Sequence, residues 1–418
     1  MVKQGYKHTE LGVIPEDWEC TVWENAGAGF SSGATPYRAM AKYYNGSIKW
    51  VSSGELNYNV IFDTLEHISD EAKVKTNLKL HPANTFLMAI TGLEAAGTRG
   101  SCAILGVPAT TNQSCMAIYG TSKLDVKYLF YFYTKNGDDL AFKFCQGTKQ
   151  QSFTAAIVKK LPIVLPPIEE QKRIAEALSD VDGMISSLEK LIAKKKAVKQ
   201  GAMQELLMEK KRLPGFTDEW EIKTLKEISH EIVDGPFGSD LKKEHYTTER
   251  QVRIIQLSNI GESGWNDENT KYTTFAHAYE LSRCIVQPQA VLIAKMMPAG
   301  RAILCPNNEK GYILGSDVVK LIPNDNIDRK YLIYATKSQF YLDQIADDTQ
   351  GSTRSRTSVS KLRKTSILFP PKSEQTAIAS ILSDMDNEIE SLEQKLSKTR
   401  QIKQGMMQQL LTGKIRLV

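Results

Sequence analysis

A chain that breaks or forms bonds must carry the residues for it, and the familiar constellations are missing here. There is no G-x-x-x-x-G-K-[ST] phosphate loop, which argues against an ATPase or motor. There is no G-x-G-x-x-G fingerprint, and the nearest Gly-rich stretch, Gly27-Ala28-Gly29 with Gly33, follows no clear strand. The aromatic-ended proline dipeptide with which amino-methyltransferases hold a flipped base is absent. Pro166-Pro167 and Pro370-Pro371 run on into Ile168 and Lys372 instead. His8, His67, His81, His230, His245 and His277 form no H-x-x-x-H pair, and the cysteines form no C-x-x-C, so a metal site is disfavoured. Glu170-x-Lys172 matches a nuclease E-x-K only trivially, at a helix start.

The chemistry that remains is charge and hydrogen bonding. Ala141–Ile168 contains no acidic residue but carries Lys143, Lys149, Lys159 and Lys160. Thr349–Ser373 is again free of acids and carries Arg354, Arg356, Lys361, Arg363, Lys364 and Lys372. Each holds a small turn, Gly147-Thr148 in one and Gly351-Ser352 in the other. Backbone amides at such turns, hydroxyls and cations are what phosphate oxygens need. The plain alternative is a solvated basic loop, and recurrence in both halves of the chain favours the DNA backbone. Gln, Asn and Arg can also read base edges with two hydrogen bonds. The candidates are Arg99, Asn112, Gln113, Gln150 and Gln151 in the first half, and Arg301, Arg354 and Arg356 in the second. Replacing Arg354 and Arg356 with Ala is expected to weaken DNA binding through the second half by about 1–3 kcal/mol per arginine.

These segments sit in a duplicated chain. Pro166–Leu207 aligns with Pro370–Leu411 without a gap at an offset of 204, with 22 identities in 42 positions. Glu170/Glu374, Gln171/Gln375, Asp182/Asp386 and Lys199-Gln200-Gly201/Lys403-Gln404-Gly405 are among them. A looser echo opens each half, Glu16-Asp17-Trp18-Glu19 and Asp218-Glu219-Trp220-Glu221. The middle of each half has diverged almost completely.

The repeated segment carries a heptad stripe: Ile174, Leu178, Val181, Ile185, Leu188 and Ile192, then Ile378, Leu382, Met385, Ile389, Leu392 and Leu396. A helix over Ile174–Leu207 would be about 50 Å long. Two copies of one stripe in one chain bury each other most economically as an antiparallel pair. Before each helix, short apolar runs bounded by Gly, Pro, Asn and Ser predict strands. In the first half they are Ile48–Val51, Thr85–Ile90, Ala103–Leu105 and Met116–Tyr119. In the second they are Arg253–Leu257, Ala290–Ala294, Arg301–Cys305 and Val318–Leu321. Asp125–Tyr133 and Asp328–Thr336 read as short helices, and Met208–Pro214 as the joint. The fold class is α+β, and the division is 1–163, a helical spacer 164–212, 213–367, and a second helical spacer 368–418.

The 418 residues suit two or three domains, and the +5 net charge permits a nucleic-acid partner without requiring one. No run approaches the ~18 apolar residues of a membrane span. Cys20, Cys102, Cys115, Cys145, Cys284 and Cys305 are scattered, and together with an N-terminus lacking an apolar signal region they predict a reduced, cytoplasmic protein.

On these residues the chain resembles a type I restriction-modification specificity subunit. Leu165-Pro166-Pro167-Ile168-Glu169-Glu170-Gln171 followed by Ile174-Ala175 is similar to the family's entry into its conserved helix. Phe369-Pro370-Pro371-Lys372-Ser373-Glu374-Gln375 repeats it, departing at Lys372-Ser373. Lys199–Leu207 and Lys403–Gly413 resemble the helix exits. Gly33-Ala34-Thr35-Pro36 with Gly46–Val51, and Asp234-Gly235-Pro236-Phe237-Gly238-Ser239 with Leu241-Lys242, resemble two different subtypes of target-recognition domain. The resemblance implies two tandem α/β target-recognition domains, each reading one half of a bipartite, asymmetric site on double-stranded DNA. It implies that the paired helices form a coiled coil that sets the gap between half-sites and docks two modification (methyltransferase) subunits. Restriction (translocase-nuclease) subunits would join for cleavage. S-adenosylmethionine, ATP and Mg would belong to those partners, with no catalytic site and no cofactor in this chain. The rival readings are a coiled-coil scaffold whose heads bind proteins, and a self-contained enzyme. DNA binding that falls steeply with salt separates the first from the preferred reading. Activity of the isolated chain with S-adenosylmethionine or Mg²⁺ would revive the second.

Overall fold

Runs of β-branched and apolar residues, punctuated by Gly, Pro and Asn, become strands in both halves. The computed structural model describes residues 4–27, 29–93, 99–146, 151–262, 264–268, 270–296, 298–349 and 356–418, without the side chains of 348 and 349. The chain forms two compact units, Met1–Glu189 with Lys395–Val418, and Lys190–Gln394. Each therefore contains the first half of one long helix and the last half of the other, a division that crosses the helices instead of setting them apart.

In the first unit one sheet runs in the order Gly29–Ser32, Cys115–Tyr119, Phe86–Ala89, Cys102–Leu105 and Asn59–Ile61, antiparallel but for its last pair. In the second unit Ser229–Asp234, Val318–Pro323, Val291–Ala294 and Ala302–Leu304 follow the same order, all antiparallel. A second sheet recurs too. Ile48–Val51 pairs in parallel with Thr110–Thr111, and Val252–Ile255 in parallel with Tyr312–Leu314. Divergent sequence has kept a four-strand order and a parallel pair in common, while the outer strands differ between the units.

Two helices differ from the sequence expectation. Asp125–Tyr133 becomes the longer Val126–Phe144, and Asp328–Thr336 becomes Arg329–Ala335. In each the leading Asp is the N-cap, accepting a hydrogen bond at 2.9 Å from the Tyr128 or Tyr331 amide. The long helices, Ile168–Leu206 and Lys372–Leu410, have 39 residues each and start right after the Pro-Pro pair. They are thus about 58 Å long, one turn and a half more than the heptad stripe indicates.

Within each unit the two helix segments run antiparallel. In the first, Glu189 pairs with Arg400 and Asp182 with Lys403, both at 2.6 Å. In the second, Glu388 pairs with Lys195 and Glu393 with Lys196, and Asp386 pairs with Lys199. Asp182–Lys403 and Asp386–Lys199 are the same contact under the 204-residue offset. The heptad positions divide by role. Ile174 and Leu178 are buried in the first globular core, and Ile378 and Leu382 in the second. Leu188, Ile192 and Ile389 are buried further along, while Val181, Ile185, Met385, Leu392 and Leu396 are half-buried.

The repeat identities now have physical causes. Gln171 accepts the Asp125 amide and donates to the Pro166 carbonyl, and Gln375 does the same with Asp328 and Pro370. The Tyr131 hydroxyl donates to Asp182, and that of Tyr334 to Asp386. Burial, with the neighbouring carboxylate, pushes both phenols well above their ordinary range, so both remain donors. The opening tryptophans complete a socket: Trp18 donates its indole N–H to Glu170, and Trp220 to Glu374, both at 3.1 Å. These glutamates are almost wholly buried, which requires a paired cation. Arg416 supplies two bonds of 2.8 Å to Glu170, and Arg212 bonds of 2.9 and 2.8 Å to Glu374. Arg416 also grips Asp17 and holds its carboxyl below the usual range.

Candidate nucleic-acid interface

In each unit the acid-free segment lodges at the same end of the same sheet. In the first, Ser152 bridges to Thr91 and the Phe153 amide donates to the Ile90 carbonyl at 2.8 Å. In the second, Arg356 bridges to Met296 and the Thr357 amide donates to the Lys295 carbonyl at 2.9 Å. A short helix follows each, Ala155–Lys159 capped by Thr154 and Val359–Lys364 capped by Ser358. The opening motifs meet this edge. A Cβ on Gly33 would stand 2.0 Å from the Thr111 carbonyl oxygen, and one on Gly235 2.0 Å from that of Gly315. Only glycine permits such an approach, and each glycine turns the chain from its strand into a loop at the edge.

Around the first edge stand several of the neutral candidates. The Thr35 hydroxyl donates to Gln113, and Asn112 accepts the Ser114 amide at 3.0 Å. Gln151 is adjacent, its carbonyl accepting the Leu93 amide. Gly147, Thr148, Lys149 and Gln150 lie outside the described residues. Lys143 is exposed near the end of the helix Val126–Phe144. Arg99 is placed differently: its guanidinium pairs with Asp138 on that helix at 3.0 Å, and its side chain is largely covered.

The second edge is cationic. Arg356 pairs with Asp317 at 2.7 Å, and Arg363 donates to the Ile232 carbonyl at 2.9 Å. Lys361 is exposed on the short helix. Gly351, Ser352 and Arg354 lie outside the described residues. Arg301 is turned to the Ile260 carbonyl and Glu262, away from this cluster. A cleft of about 510 Å³ joins Arg356 and Arg363 to three residues that sequence reasoning did not select as binding groups: Phe237, Arg283 and Lys295. They come from three distant segments that only the fold brings together.

The edges can bind and orient anionic or base-edge groups. No cluster of His, Cys, Asp or Glu among the described residues could hold a metal ion. No described helix is long and apolar enough to cross a membrane.

The profile described as the type I restriction modification DNA specificity domain matches residues 15–200 and 217–401, one copy per half. The chain belongs to this family. Its similarity to the type I restriction enzyme MjaVIII specificity subunit of Methanocaldococcus jannaschii is 26% identity over 308 residues, 70% of this chain and 71% of that protein. The MjaIX specificity subunit of the same organism is 22% identical over 432 residues, 99% of this chain and 96% of that one. In fold this member of the family is similar to the crystal structure of the type I restriction-modification S subunit from M. genitalium. The TM-score is 0.59 at 16% identity, covering 94% of this chain and 96% of that one.

Proposed function

We propose that this chain is the DNA sequence-specificity subunit of a type I restriction-modification complex, and that it recognises DNA without catalysing a reaction on it. Each globular half reads one half of a bipartite, asymmetric site. The observation that carries this is the duplicated edge: an acid-free segment lodged at one end of the same sheet in both halves, beside a glycine that turns the chain there. Four functional segments follow, reading domains at 1–163 and 213–367 and helical spacers at 164–212 and 368–418. The helices set the gap between half-sites and dock two modification subunits, which bring S-adenosylmethionine. Restriction subunits add ATP- and Mg-dependent cleavage, and the complex works in the cytoplasm. Half-sites about one DNA turn apart, roughly 34 Å, suit such a spacer.

The test is methylation mapping by long-read sequencing, in cells carrying this chain with a modification subunit and in cells from which it is deleted. A bipartite adenine-methylated motif should disappear on deletion, and unchanged methylation would defeat the assignment. Adding one helical turn within Ile185–Lys196 should lengthen the spacer of the motif and leave both half-sites as they were.

A further inference from the structure

We infer that Phe237 is a base-contacting, specificity-determining residue of the second half, set at the mouth of a cationic cleft that seats the adjoining DNA phosphates. This rests on the reading of the chain as a DNA-specificity subunit. The loop bearing Phe237 is held at both sides. The Gly235 amide donates to the Val318 carbonyl at 3.0 Å, Pro236 is buried, and the Asp240 amide closes the turn on the Phe237 carbonyl at 2.9 Å. The backbone therefore holds the ring outward, and Phe237 is 74% exposed.

The ring shares its cleft with Arg283, Lys295, Arg356 and Arg363. Lys295, only 5% exposed, pairs with Asp234, and Arg356 pairs with Asp317. Four cations against two carboxylates leave a net positive site, and Arg283 is exposed. Guanidinium groups around a cleft suit the bridging of phosphate oxygens. A phenyl ring makes no hydrogen bond to a phosphate. Its partner in such surroundings is apolar, the methyl group or face of a base between the held phosphates. The matching edge of the first half has Ile90 where Lys295 stands and Ser152 where Arg356 stands, so this cationic frame belongs to the second half.

The experiment uses the complete chain with its modification subunits. The methylated motif is mapped in cells carrying wild type, Phe237→Ala, Phe237→Leu or Arg283→Ala. Affinity for a synthetic duplex of the wild-type motif is then measured across a salt series, and thermal melting reports folding. Phe237→Ala should weaken binding about tenfold and relax base preference at one or two positions of the second half-site, with the first half-site intact. Phe237→Leu should keep part of that preference. Arg283→Ala should leave the motif unchanged and lower the salt dependence by about one ion. A Phe237→Ala complex that melts normally and keeps both motif and affinity overturns the inference, and so does an altered first half-site. A wild-type chain that directs no bipartite motif instead defeats the parent reading.

Discussion

The two candidate edges share their backbone hydrogen bonding and differ in side-chain chemistry. Ser32 and Gly33 leave the first edge as Asp234 and Gly235 leave the second. The Ile90 amide donates to the Ser114 carbonyl as the Lys295 amide donates to that of Asp317, both at 2.9 Å. Serine, isoleucine, serine and serine at the first edge (32, 90, 114, 152) thus occupy the positions held by aspartate, lysine, aspartate and arginine at the second (234, 295, 317, 356). Main-chain hydrogen bonds between strands do not depend on side chains, so the edge keeps its backbone pairing while its side chains differ. Charge can then be installed at one edge without disturbing the other.

Four experiments would break or sharpen that comparison. The largest effect tests what the halves share. Replacing Arg416 with Ala leaves the buried Glu170 uncompensated and should destabilise the first unit by about 3–5 kcal/mol, read by denaturant unfolding. Arg212→Ala should act in the same direction on the second unit, and a variant that unfolds like wild type would show the socket to be dispensable. Next comes a response to acid that originates in the first half. His81 is buried against Tyr119, its ring nitrogen 2.7 Å from the hydroxyl, and burial, aided by Lys79, pushes its pKa down to about 4. The unfolded chain, titrating near 6.5, binds more protons between these values. Stability is therefore complete above about pH 6.5, falls as pH drops, and is lower by about 3 kcal/mol at pH 4. Unfolding at pH 7, 5.5 and 4 checks this, and His81→Gln should flatten the dependence. Equal slopes would exclude His81 as the cause.

The smaller effects separate the edges. Arg356→Ala should cost about 1–2 kcal/mol in DNA affinity at low salt and reduce the salt slope by about one ion. Gln113→Ala at the neutral edge should cost about 1 kcal/mol and relax one base position while leaving the slope unchanged. Fluorescence anisotropy over a salt series measures both. Identical slope changes for the two variants would erase the distinction between the edges.

Much of the scaffold is legible in the sequence because its residues answer to local rules or to the repeat. Asp125 and Asp328 announce their helices by capping, and Glu170/Glu374 and Asp182/Asp386 stand out because both copies need them. The Pro-Pro pairs mark where the helices start, at Ile168 and Lys372, but the sequence does not reveal that Glu170 meets Arg416, 246 residues further on, with Trp18 beside them. Polar residues in the first two turns, such as Glu169 and Ser373, obscure the stripe there. The candidate edges are less legible. Arg99, Arg301 and Arg356 each pair with a carboxylate of the chain, Asp138, Glu262 and Asp317, and the sequence foretells none of these pairings. Phe237 stands in the Asp234–Ser239 motif that the sequence singles out, but only the structure shows its loop holding the ring outward.

The sockets bear on assembly as well as stability. Arg416 does for Glu170 what Arg212 does for Glu374, and Lys403 does for Asp182 what Lys199 does for Asp386. A fragment ending after Arg212 carries Trp18, Glu170, Asp182, Lys199 and Arg212, one of every complementary group. Two such fragments could satisfy each other with the same set of bonds. One half of the chain thus carries both members of every kind of pair that joins the helical segments within each unit.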